Sequence, residues 1–130
     1  MYDKELVVSI LRNLISSMEQ VLKRFAAIRS SSDFVKDDTG QEKLDSICMQ
    51  LIATGEGLKH IDKLTKGILF SDYAIVDWKK AMGMRDVIAH HYFDIDHETV
   101  YLVCKERIPE MKKTLDRILK DITGDEHTDL

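Results

Sequence analysis

The sequence predicts an all-α fold, an antiparallel bundle of four or five helices, and three observations carry that expectation. Apolar residues recur at steps of three and four along most of the chain. A single proline and an aromatic content of 7% disfavour a many-turned β fold. No stretch reads convincingly as a strand. The 130 residues fit one domain, 1–130, and no internal repeat divides them.

The elements follow in order. Val7, Ile10, Leu11, Leu14, Met18, Val21, Leu22 and Phe25 make one stripe on a first helix. Arg29 to Asp33 ends it and opens a polar loop through Asp38. Thr39 and Glu42 have the spacing of a capping box, so the second helix is expected to start there. It carries Leu44, Ile47, Cys48, Leu51, Leu58, Ile61 and Leu64. Gly55 and Gly57 weaken it intrinsically, and are expected where another backbone or side chain comes close. Gly67 to Asp72 is a break. A third helix is expected from about Ala74 to Tyr92, with Trp78, Ala81, Met82, Arg85, Ala89 and Tyr92 on one face. Asp96 is a good N-cap for the last segment, built on Val100, Cys104, Ile108, Met111, Leu115, Ile118 and Ile122. Pro109 cannot donate to a carbonyl four residues back, so a kink or fresh helix start is expected there. Gly124 closes the helix, and a frayed polar tail follows from Asp125.

Composition narrows the function classes. The chain is 44% hydrophobic and 32% charged, as helical bundles tend to be. The longest largely apolar uncharged run, Ile47 to Gly55, is too short to span a bilayer, and Met1 to Glu5 does not start a signal peptide. The expected address is the cytoplasm, away from membranes. Cys48 and Cys104 fit no metal or redox spacing and are expected as reduced thiols in the core. A net charge of -4 excludes a general nucleic-acid coat. Any RNA contact must be local, and a basic protein partner would suit the charge.

Arg85 breaks the apolar pattern. On a buried face a guanidinium needs an acidic partner such as Glu56, an interface, or an anionic ligand. Asp86 and His90 are four apart, so on a helix the carboxylate can orient or charge the imidazole. Arg85 and Tyr92 are two turns apart and share a face. Arg85 and His90 stand about 140° apart around a regular helix. They converge on one substrate only if the helix ends near His90, or if a second copy of the segment faces the first. His90, His91, Asp94, Asp96 and His97 are dense in potential ligands, but no spacing matches the i, i+4 His pair of helical zinc sites, and no metal is expected. There is neither a Gly-rich phosphate loop nor a G-x-S-x-G elbow.

Arg85 to Tyr92 resembles the R-x-x-x-x-H-x-Y motif of HepT-like toxins of the HEPN superfamily. Asp77 to Met84 resembles the Trp-containing lead-in to that Arg. Phe93 to Asp96 resembles the acidic turn after the Tyr, Lys105 to Pro109 the Pro-containing restart, and Gly55 to Lys59 the second helix. The resemblance spans essentially the whole chain. It implies a homodimeric bundle acting as a metal-independent RNase without cofactor, the two motifs meeting at the dimer interface. It also implies a partner, a minimal nucleotidyltransferase antitoxin of the MntA type, which silences the toxin by transferring AMP onto the motif Tyr. Carried over by position, Arg85 and His90 are catalytic, Tyr92 is the modified residue, and Asp86 fills an auxiliary polar place.

The chemistry is consistent with a dimer. Metal-independent RNA cleavage needs a base for the 2′-hydroxyl, an acid for the leaving 5′-oxygen, and positive charge on the transition state. One motif holds one imidazole and one guanidinium; a two-fold dimer holds two of each. The rival reading is a non-catalytic helical module that pairs with a separate nucleotidyltransferase and positions its substrate. A pure adaptor would not need the Arg85–His90 pair.

Overall fold

The computed structural model describes residues 2–91 and 94–124, with the backbone alone at His90 and His91. The described residues form six α-helical segments and one short two-stranded ribbon. Helix α1 spans Lys4–Phe25, opened by Asp3, whose carboxylate accepts the Leu6 N–H at 3.1 Å. Its expected stripe is the buried one: Val7, Leu11, Leu14, Met18 and Val21 lie in the core, with Ile10, Leu22 and Phe25 at its edge.

The segment after α1 is more ordered than a polar loop. Ser31–Phe34 forms a 3-10 turn that buries the Phe34 ring completely. That one aromatic explains why the chain turns inward there. Helix α2, Asp38–Leu64, starts earlier than the expected capping box, because Asp37 caps it by accepting the Gly40 N–H at 2.8 Å. Thr39 and Glu42 lie inside the helix instead.

Helix α2 runs antiparallel to α1: Gly57 lies against Leu14, and Gln50 accepts the Ser17 hydroxyl hydrogen bond. Both glycines mark close approaches. A Cβ at Gly57 would come within 2.6 Å of Leu14 Cδ2. One at Gly55 would sit 3.1 Å from the Ala81 and Met82 carbonyl oxygens and from Met84 Cβ. The missing side chains therefore let α1 and the motif segment settle onto α2.

After α2, Lys66 and Gly67 adopt left-handed backbone (φ 56° and 74°) and reverse the chain. A 3-10 turn at Phe70–Asp72 then leads to α3, Trp78–Met82. The Trp78 ring stacks on Phe70 with centroids 4.3 Å apart, and its indole N–H donates to the Tyr73 carbonyl at 2.7 Å. The Tyr73 hydroxyl in turn donates to Asp121 at 2.7 Å, which ties this stretch to the last helix.

Helix α4 spans Met84–Ile88, and the chain then extends into β1 (Ala89–His91), which pairs antiparallel with β2 (Asp94–Ile95). This ribbon is a correction to the strand-free expectation. Asp96 caps α5, His97–Leu102, accepting from the Thr99 N–H at 3.1 Å and its hydroxyl at 2.8 Å. A π-turn at Val103–Arg107 joins α5 to α6, Ile108–Thr123. Pro109 explains that turn: it offers no N–H to the Lys105 carbonyl and its ring crowds it, so the backbone widens there. Gly124 ends α6 at φ 82°.

Helix α1 packs against both α2 and α6, while α3 and α4 lie on α2. The core is continuous, and both cysteines are free and buried within it, as expected. Among the described residues no helix is long and apolar enough to cross a membrane. Tyr92 and the expected frayed tail from Asp125 lie outside the described residues.

Candidate active site

The motif segment does not continue one long helix. Gly83 ends α3 by donating its N–H to the Lys79 and Lys80 carbonyls, and its own carbonyl starts α4 by accepting from Asp86 and Val87 at 3.0 and 3.2 Å. A break resets the angular phase of everything after it. Trp78 and Ala81 are buried and Met82 half-buried, as one face would require, but Arg85 is exposed. Met84 and Ile88 are the buried residues of α4.

Arg85 is therefore not a guanidinium stranded on an apolar face. Nor does it pair with Glu56, which instead binds Lys59 at 3.0 Å on the open surface. Among the described residues no carboxylate forms an ion pair with Arg85. Asp86 stands exposed beside it.

Helix α4 stops at Ile88, where Ala89 turns to extended backbone at φ -136° and ψ 132°. The i, i+4 helical relation between Asp86 and His90 is thus not formed, because His90 lies on β1. The same break removes the angular objection to Arg85 and His90 acting together, since the helix ends two residues before His90. The ribbon holds this geometry: Ala89 pairs with Ile95, and the Asp96 N–H donates to the Ile88 carbonyl at 2.8 Å. The side chains of His90 and His91, and all of Tyr92, lie outside what is described. Among the described residues no group of three His, Cys, Asp or Glu side chains is arranged to hold a metal ion.

What sequence periodicity missed is the other side of α4. Met84 and Val87, three apart, face a cavity closed by Val103 and Met111. Its only signal in the sequence was Pro109, which marks the irregular turn beside it.

Chemically, the site presents one exposed cation and one exposed carboxylate on a short helix, with the motif histidine following on a strand. A solvated guanidinium with no ion-pair partner among the described residues can bind an anion such as a phosphate.

Comparison with known proteins places the chain in a family. The family model described as "Ribonuclease HepT-like" matches residues 18–118, which include Arg85, Asp86, His90 and Tyr92. Three relatives are named Putative RNase: MJ1216 and MJ0127 of Methanocaldococcus jannaschii and TTE0752 of Caldanaerobacter subterraneus. MJ1216 is 37% identical over 83 residues, 64% of each chain, so the match spans less than two thirds of that relative. MJ0127 is 25% identical over 98% of both chains, and TTE0752 is 28% identical over 85% of this chain and 91% of its own. No solved structure gives a significant match. With a family model covering most of its length, this chain belongs to the HepT-like ribonuclease family.

Proposed function

We propose that the protein is a metal-independent endoribonuclease, the toxin of a toxin–antitoxin pair. The observation that carries this reading is the family match across residues 18–118 together with an exposed Arg85 that has no ion-pair partner among the described residues. RNA is held locally through Arg85, in keeping with a chain whose net charge is -4. His90 of one copy takes the proton of the 2′-hydroxyl, which bonds to phosphorus as a 2′,3′-cyclic phosphate; the bond to the 5′-oxygen breaks, that oxygen takes a proton from His90 of the other copy, and Asp86 has an auxiliary role.

Because one motif holds half the needed groups, the working unit in this reading is a homodimer whose two motifs share one groove. Tyr92 is the regulatory position: AMP placed there by a minimal nucleotidyltransferase antitoxin adds bulk and negative charge where RNA phosphates bind. Two measurements test the reading. Purified protein in excess chelator should cleave RNA, and Arg85→Ala should lower that cleavage by about 10²–10³. No cleavage by the parent protein, with tight binding to a transferase, would establish the adaptor role instead. Mass spectrometry after co-expression with the transferase should find added AMP on Tyr92; its absence would remove the switch.

A further inference from the structure

The cavity beneath α4 has a volume of about 210 Å3. That is below the ~300–1,000 Å3 of ordinary small-molecule sites and near the size of one large side chain. Met84, Val87, Val103 and Met111 make its floor, and Leu102, 51% exposed, stands at its lip. Its rim carries Asp77, Glu106 and Glu110 against Lys80 and Arg107, an excess of carboxylate. All five are exposed, and none forms an ion pair among the described residues. The π-turn borders the cavity through Val103, Glu106 and Arg107, and such turns often sit at functional sites.

We propose that this cavity docks a partner protein through a single large apolar anchor residue flanked by Lys or Arg. The apolar floor takes the anchor, and Glu106 and Glu110, whose excess over the rim cations is completed by the α3 cap Asp77, take the flanking charges. RNA is disfavoured here, because those carboxylates repel its phosphates. A second copy of the chain is disfavoured by position. Arg85 and Asp86 leave α4 about 130° around the helix from the midpoint of Met84 and Val87. Two copies joined through this cavity would turn their motifs apart. The proposal is independent of the nuclease reading, but the anchor would touch the helix that carries Arg85.

The test uses full-length protein labelled at the methionine methyls and titrated with two blocked tripeptides, Lys-Trp-Lys and Glu-Trp-Glu. Lys-Trp-Lys should shift the Met84 and Met111 resonances saturably and leave Met49, on the far surface of α2, in place. Glu-Trp-Glu should bind at least tenfold more weakly, and the Glu106→Lys/Glu110→Lys double variant should reverse that order. No shift at Met84 and Met111, or equal response to both tripeptides, overturns the proposal. So does sedimentation of Leu102→Lys as a monomer where the parent is a dimer, which would assign the cavity to a second copy.

Discussion

Arg85 projects from a helix of five residues into solvent, so its removal leaves no buried charge and no cavity behind. Arg85→Ala should therefore shift unfolding free energy by less than about 0.5 kcal/mol. The same change should lower RNA cleavage by about 10²–10³, the usual loss for a transition-state cation or donor. A urea titration and a cleavage assay on one preparation check both; a large stability loss would mark Arg85 as structural. Thr54 is the opposite case. Its hydroxyl is buried on α2 with no hydrogen-bond partner among the described residues, so Thr54→Val, which keeps the shape, should stabilise by about 1 kcal/mol in the same titration. The thiols offer a third check. Burial pushes both Cys48 and Cys104 up to about 12, and Asp45 beside the first and Cys48 beside the second add to it. Their folded values stand above the unfolded value of 9.0, so the protonated thiols contribute stability below pH 9 that is lost as pH rises toward 12. At pH 8 neither should react with an alkylating reagent until the protein is unfolded; modification of native protein would contradict the burial. At this scale spacing and resemblance single out Arg85, Asp86 and His90 as candidates, but they do not give the exposure of Arg85. It depends on where one helix stops.

That stop belongs to the element scale. Gly55 and Gly83 together place the motif: the first lets α3 and α4 lie directly on α2, and the second separates them. Gly55→Ala gains up to ~1 kcal/mol of helix propensity but drives a methyl to 3.1 Å from two backbone carbonyls, which have little room to yield. Overpacking of this kind costs about 1–3 kcal/mol, so the variant should be less stable by up to about 2 kcal/mol, read as a lower urea midpoint. An unchanged or higher midpoint would mean the segment is free to shift. Helices α1, α2 and α6 were readable because each has a long, one-sided apolar stripe. The segment from Ala74 to Tyr92 was not, because Gly83 breaks the helix without disturbing the spacing of its apolar residues. The π-turn was readable only as an irregularity at Pro109. The ribbon of β1 and β2 is three and two residues long, too short for alternation to announce it.

For the whole molecule, the bundle was the most legible feature and the site the least complete. One chain carries a solvated cation and a carboxylate on one short helix, with the motif histidine on the strand that follows, and leaves an acid-rimmed cavity on that helix's other side. In the proposed function, His90 is the proton-transfer group of a metal-independent ribonuclease. The most direct measurement is the initial rate of RNA cleavage in excess chelator for His90→Ala against the parent protein, at equal folded concentration. Loss of the imidazole should lower that rate by about 10²–10⁴. Cleavage by His90→Ala at the parent's rate would contradict it.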